Sequence, residues 1–199
     1  AMFDLAYYPQ ERGPYNFDVD GEPGISSGIN AGGFLNDPET RWAGIMRPLQ
    51  INNFEEQNIE FIQFWVMDPF LEDPNNQGGD LYFNLGNISE DILKDGRQAF
   101  ENGIDPLTGV GSLDSTAWGF VPKVQPITEF FDNDPNARPL QDVGYDAMDD
   151  ALERAWSFQG SPSYTSRVET SFGQSSQAYT KAFGDPGEDN FGFYLGTEL

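Results

Sequence analysis

The sequence contains no cysteine and no histidine among its 199 residues. The absence of cysteine excludes a disulfide framework, a thiolate nucleophile and a cysteine-ligated zinc site. The absence of histidine removes the commonest general base and every Ser-His or Cys-His catalytic pair. Because the two absences together exclude most enzyme classes, we expect a chain that is not an enzyme.

Basic residues are also few, since 10 Lys and Arg stand against 33 Asp and Glu and the formal net charge is −23. The phosphate backbone of nucleic acid and anionic lipid surfaces both repel such a chain. We therefore expect no nucleic-acid partner. The acidic excess is typical of a solvated surface, and it also supplies oxygen ligands for a hard cation such as calcium.

Long apolar runs are missing as well. No stretch approaches the roughly 20 apolar residues that cross a bilayer as a helix, and no charged-then-apolar signal sequence is present. We expect no direct membrane insertion by this chain. Residues 1–2 resemble a cloning remnant, and residues 3–199 are interpreted as a single soluble domain excised from a much larger protein. Within that domain, residues 3–57 are predicted to be an extended arm and loop region and residues 58–199 the core.

The composition favours a β-rich fold, because 22 Gly and 14 Pro interrupt helices while 17 Phe, 8 Tyr and 4 Trp pack well between sheets. Residues 59–68 are apolar on both faces, which predicts a central strand covered on both sides. Residues 79–86 alternate apolar and polar, as in a half-solvated strand. The resulting prediction is a mainly β, jelly-roll-like antiparallel sandwich with one or two short helices and long acidic loops.

Two short helices are predicted beside these strands. The sequence Asn-Ile-Ser-Glu at residues 87–90 has the spacing of a capping box. Asp146 is expected to cap a second helix that runs to Trp156 and buries Met148, Leu152, Ala155 and Trp156. The remainder, residues 157–199, is interpreted as a loop followed by a final strand at residues 191–195.

Acidic loops raise the possibility of a structural calcium ion, which needs roughly six to eight oxygen ligands. Three groups are candidates: Asp68, Glu72, Asp73 and Asp80; Asp132, Asp134, Asp142 and Asp146; and Asp185, Glu188 and Asp189. None fits a defined motif, since the second group has Ala137 and Val143 where an EF-hand loop has Gly and Glu. Short Asx side chains also form such turns without an ion. Asp132, Asp134 and Asp142 are the preferred metal ligands, and no other cofactor is expected.

Several long strings resemble a known family: YYPQERGPYNFDVD, RWAGIMR, NIEFIQFWVMDPF, GGDLYFNLGNISEDILKDG, TAWGFVPKVQPITEFFDNDPNARPLQDVGYDAM and DPGEDNFGFYLG. They are similar to the SprA family (Sov in some members), the outer-membrane translocon of the Bacteroidetes type IX secretion and gliding-motility system. The strings follow one another across nearly the whole chain. They correspond to only a small part of that very large translocon.

The resemblance implies a non-catalytic role as a cap or gate-side scaffold for protein export across the outer membrane. Its implied partners are the remainder of the translocon barrel, secreted cargo proteins and other type IX secretion components. Its implied location is the cell outer membrane, on a soluble extracellular or periplasmic face.

Two other functions remain open. The first is a calcium-stabilised carbohydrate-binding-like module at the cell surface, in which Trp42, Trp65, Trp118 or Trp156 stacks on sugar rings; this alternative depends on the jelly-roll analogy. The second is hydrolysis. Glu60 with Asp80 could form a carboxylate pair, and Ser115 lies near Lys123, but no recognised motif joins either pair.

Overall fold

The computed structural model describes residues 7–45, 53–68, 70–71, 73–86, 93, 96, 113–123, 144–157 and 162–190. The chain divides into two compact units. The first, here called the helical unit, comprises Ala1–Ala43 and Asp91–Leu199, and the second, the extended unit, comprises Gly44–Glu90. The regular elements of these described residues are a 3-10 helix at Pro38–Thr40, strands β1 (Leu113–Ser115) and β2 (Phe120–Pro122), and helices α1 (Asp150–Ala155), α2 (Tyr164–Phe172) and α3 (Gln177–Gly184).

Each α-helix begins at a side-chain cap with the same spacing. The Asp149 carboxylate accepts a hydrogen bond from the Leu152 amide, and the hydroxyls of Ser163 and Ser176 accept from the amides three residues later. Such caps satisfy one of the amide groups that a first helical turn leaves unpaired. The caps therefore explain why segments rich in Ser and Thr form helices here.

The core of the helical unit lies between α2, α3 and the N-terminal loops. The Phe17 and Tyr164 rings meet edge to face with centroids 5.7 Å apart. The Thr165 hydroxyl donates to the Ala182 carbonyl at 3.1 Å and joins the two helices, and the Ala178 amide donates to the Ala31 carbonyl at 3.0 Å. The buried cluster consists of Phe17, Val19, Ile29, Tyr164, Val168, Ala178 and Ala182.

Strands β1 and β2 form a small antiparallel ribbon in the same unit. Asp114 lies opposite Val121, and Val121 is buried. The Phe120 amide at the start of β2 donates to the Asp146 carbonyl at 2.7 Å. The ribbon thereby holds the segment that precedes α1.

The predicted jelly-roll sandwich is wrong. The described residues contain two antiparallel strands of three residues each and three α-helices, which is not a mainly β fold. Helices α2 and α3 lie in residues 157–190, where the sequence predicts a loop. The prediction fails because each helix buries only two apolar side chains, so that its Ser cap is the stronger local signal. The strand predicted at residues 191–195 and the capping box at residues 87–90 lie outside the described residues.

The extended unit shows no regular strand among its described residues. Its two apolar segments, residues 59–68 and 79–86, form neither helix nor strand and are exposed, although the centroids of the Phe64 and Phe83 rings lie 5.1 Å apart. Trp65 is 99% exposed. The prediction of a covered central strand at residues 59–68 is therefore wrong, because two apolar faces indicate that a cover is needed but not that the chain itself supplies it.

No helix within the described ranges is long and apolar enough to cross a membrane.

Candidate metal centre

Asp146 is positioned by a sharp turn before α1. Its Oδ1 accepts from the Met148 amide at 3.0 Å, and the intervening Ala147 has a left-handed backbone with φ of 53°. This backbone conformation interrupts a helix, so α1 begins at Asp150 with Asp149 as its cap rather than at the predicted cap Asp146. Asp146 is instead turned inward and is only 1% exposed.

Glu153 is the buried residue of α1, with 3% of its surface exposed. Its Oε2 accepts from the Gly187 amide at 3.0 Å. Of the residues predicted to be buried here, Met148 is buried, Trp156 is half-buried, and Leu152 and Ala155 are exposed. Helix α1 therefore turns a carboxylate toward the interior and a leucine toward solvent, the reverse of the predicted apolar face.

Asp189 lies in the loop that follows α3. Its Oδ2 accepts from the Tyr15 hydroxyl at 2.9 Å, and the same hydroxyl accepts from the Tyr145 amide. Tyr15 also lies edge to face against the Tyr145 ring, with centroids 6.0 Å apart. A residue near the N-terminus thus orients a carboxylate near the opposite end of the described chain.

One carboxylate oxygen from each of Asp146, Glu153 and Asp189 lies within 4.8 Å of the other two. We call these three residues the carboxylate triad. Asp146 Oδ2 and Glu153 Oε1 are buried and receive no hydrogen bond. A second group, Asp150, Glu153 and Asp185, meets the same distance limit and shares Glu153. Both acidic clusters could hold a metal ion.

Two glycines allow the backbone to approach the triad. A Cβ atom on Gly187 would collide with Glu153 Oε1 and would lie 3.1 Å from Asp189 Cγ. A Cβ atom on Gly144, which has φ of 49°, would collide with the Tyr15 hydroxyl and the Asp189 carboxylate. A side chain at either position would displace a triad carboxylate, and the left-handed backbone at Gly144 additionally favours Gly there.

The electrostatics of the triad favour a positive charge or a proton. Burial, and then the charges of Asp189 and Asp146, raise the pKa of the Glu153 carboxyl. Burial, and then Asp189, raise the pKa of Asp146. Burial and the same two aspartates also raise the pKa of the Tyr15 hydroxyl. Three acids that disfavour one another's charge can be relieved by sharing a proton or by binding a cation.

The preferred calcium ligands Asp132, Asp134 and Asp142 lie outside the described residues, as does Glu72. Among the described residues, neither metal-sized cluster reproduces one of the three predicted loop groups. Asp68, Asp73 and Asp80 are exposed in the extended unit and belong to no metal-sized group among the described residues.

The structure instead joins members of the second and third groups, since Asp146 meets Asp189. Asp185 belongs to the cluster around Asp150, and Glu188 pairs with Arg12 at 3.3 Å. Glu153 was missed by the sequence analysis. No local signal identifies it, because a glutamate on a short helix is ordinarily exposed.

In comparisons with known proteins, no family model, curated protein or solved structure matches this chain.

Proposed function

We propose that this chain is a non-catalytic scaffold within an outer-membrane protein-export translocon that resembles the SprA (Sov) family of type IX secretion and gliding motility. Its place is an extracellular or periplasmic face of the outer membrane. Its partners are the remainder of the translocon, secreted cargo and other components of that system. The sequence strings quoted above support the family, and the surface of the extended unit supports the scaffold role.

The observation that carries the scaffold role is the exposed apolar surface of residues 59–86. Large side chains are exposed along both segments, and the described backbone between them turns at residues 70–71 and 74–75. A large exposed apolar surface is typical of a site that contacts another protein. Those exposed in this region are Ile59, Phe61, Ile62, Phe64, Trp65, Val66, Met67, Phe70, Leu71, Leu81, Tyr82, Phe83 and Leu85.

The charge of the same region indicates what kind of surface covers it. The chain has no Lys or Arg between Arg47 and Lys94, while Glu60, Asp68 and Asp80 flank the apolar side chains. Complementary charge around an apolar contact favours the correct partner and disfavours others. We therefore propose a partner surface that is apolar at its centre and basic at its rim.

For the cofactor, we propose a structural Ca²⁺ rather than a transition metal. The acidic clusters offer carboxylate oxygens, and the chain has neither the imidazole nor the thiolate ligands that softer metals prefer. The carbohydrate-binding alternative is not developed further, because the described residues lack the sandwich on which it depended.

The test uses cells that produce the full-length parent protein, with secreted cargo measured in the culture medium. The variant Trp65→Ser, combined with Met67→Ser, removes two of the most exposed apolar side chains of the extended unit. We expect cargo export to fall severalfold while parent protein levels stay constant. Trp42→Ser is the matched control, because Trp42 is 84% exposed but belongs to the helical unit. Normal export by the Trp65 and Met67 variant would show that this surface does not serve the translocon.

A further inference from the structure

The carboxylate triad is the part of the helical unit that the export role leaves unexplained. Each of its three carboxylates has one oxygen held by a fixed donor: the Met148 amide for Asp146, the Gly187 amide for Glu153 and the Tyr15 hydroxyl for Asp189. Donors of this kind fix the orientation of metal-ligating carboxylates in known sites. The arrangement is therefore preorganised, and the three side chains are not merely close in space.

Two oxygens of the triad also need a positive partner. Asp146 Oδ2 and Glu153 Oε1 are buried and receive no hydrogen bond while both groups are ionised, and the two side chains lie close enough to share a proton. A buried ionised oxygen without a partner is costly, and the usual solutions are a cation or a shared proton. Both atoms belong to residues of which almost no surface meets solvent, so bulk water does not solvate them.

We infer that Asp146, Glu153 and Asp189 together bind one Ca²⁺ ion, which fastens α1 and its preceding loop to the loop after α3. The inference does not depend on the export role proposed above. The three oxygens lie within 4.8 Å of one another, so that small side-chain movements would bring each to the usual Ca–O distance of about 2.3–2.6 Å from a single ion. The remaining coordination positions are filled by water and carbonyl oxygens, as is usual for Ca²⁺.

The ion would join segments that lie far apart in the sequence. Asp146 and Glu153 belong to residues 144–155, whereas Asp189 belongs to the loop that ends the described chain. Tyr15 brings the N-terminal loop to the same point through Asp189 and through the Tyr145 amide. A bound ion would stabilise the folded helical unit because the unfolded chain does not bring these ligands together.

The second cluster, Asp150, Glu153 and Asp185, does not carry a separate site. Asp150 and Asp185 are half-exposed, and Asp185 Oδ1 already accepts from the Asp189 amide at 3.3 Å. Its one fully buried member, Glu153, belongs to the triad. We therefore expect one ion per chain.

The first measurement is calcium binding by the whole 199-residue chain, after treatment with EDTA, by equilibrium dialysis and thermal unfolding. We expect one bound Ca²⁺ per chain and a midpoint that rises by about 5–10 °C when the ion is at 100 times its dissociation constant. Mg²⁺ should bind more weakly, because it requires a tighter octahedral shell. No binding at millimolar Ca²⁺, with an unchanged midpoint, would overturn the inference and favour a proton shared between Glu153 and Asp146.

The second measurement assigns the ion to the triad. Glu153→Gln keeps the side-chain shape and an acceptor for the Gly187 amide, but it removes one ligand charge. We expect its calcium affinity to fall by at least about 100-fold, since loss of an outer-shell partner alone costs about 10–100-fold. Glu39→Gln, at an exposed position, makes the same chemical change and should bind like the original chain. Equal affinity in the two variants would place the ion elsewhere.

Tyr15→Phe keeps all three ligands and decides the question if Glu153→Gln does not fold. Tb³⁺ occupies calcium sites and emits green light when a nearby tyrosine absorbs, so the original chain should show sensitised emission that Ca²⁺ quenches by competition. Because Phe cannot donate to Asp189, Tyr15→Phe should weaken binding about 10–100-fold, and it should also lower the emission of the fully loaded chain. Unchanged affinity and emission would overturn the assignment.

Discussion

Arg12 is expected to stabilise the helical unit more than any other basic residue that the structure describes. It is only 5% exposed. Its guanidinium donates to the Asn16 carbonyl at 3.1 Å and to the Asp185 carbonyl at 3.0 Å, pairs with Glu188 at 3.3 Å and lies 4.5 Å from the centroid of the Tyr164 ring. One side chain thus connects the N-terminal loop to α2 and to the loop after α3.

The cost of Arg12→Ala follows from these contacts. Removing one partner of a buried ion pair costs about 3–5 kcal/mol. The Glu188 side chain retains a third of its exposure and can be rehydrated, which places the expected loss near the lower end of that range. The two carbonyls would lose hydrogen bonds from a charged donor, each worth about 1.5–3 kcal/mol, although such values are not additive. We expect a loss of about 3–4 kcal/mol in unfolding free energy.

The assay is urea unfolding followed by circular dichroism and by tryptophan fluorescence, with Arg12→Lys as an intermediate variant. Lysine keeps the charge beside Glu188, but it cannot present the planar fork that reaches two carbonyls at once. We expect it to lose about half as much stability as the alanine variant.

Arg41→Ala is the matched control for this assay. Arg41 also donates to two carbonyls, those of Asn36 and Ile25, but it is half-exposed. Its loss should cost about 1 kcal/mol. If Arg12→Ala cost no more than Arg41→Ala, the reasoning that burial makes the Arg12 contacts valuable would be refuted.

Two further predictions concern the core. Burial raises the pKa of the Tyr164 hydroxyl above its ordinary 10.0, so the unfolded chain ionises first and the free energy of unfolding falls as pH rises above 10. Tyr164→Phe should make that fall less steep by up to about 1.4 kcal/mol per pH unit. Parallel curves of unfolding free energy against pH, from pH 9 to 11.5, for the variant and the original chain would contradict this prediction. Val168→Ala, at a fully buried position of α2, should cost about 2 kcal/mol in urea unfolding. Val66→Ala in the exposed segment should change stability by less than about 0.5 kcal/mol; equal losses would contradict the burial pattern.

The helices show which part of the fold could be predicted from the sequence. Ser163 and Ser176 are local start signals, and each side chain caps the helix that follows it. The segments nevertheless read as loop by periodicity, because a buried apolar stripe of two residues per helix is too narrow to show a helical period. Capping information was present in the sequence, whereas the core that stabilises the helices depends on the distant Phe17, Val19 and Ile29.

The candidate metal centre was only partly predictable for a related reason. Asp146 and Asp189 were identified within acidic loops, but they were assigned to different groups. Their meeting depends on contacts across long sequence separations: Tyr15 to Asp189 spans 174 residues, and Gly187 to Glu153 spans 34. Sequence composition shows that carboxylates are abundant, but only tertiary packing decides which of them share a buried space.

The two units depart from ordinary burial in opposite directions. The helical unit buries Glu153 while Leu152 on the same helix stays exposed, and the extended unit exposes Trp65 together with its apolar neighbours. Each arrangement is unfavourable for an isolated chain, because buried carboxylates need a positive partner and large apolar patches need a cover. A cation at the triad and a protein surface on the extended unit would each reverse one of these costs. This common logic supports both proposals, and the calcium and export experiments test the two separately because their variants lie in different units.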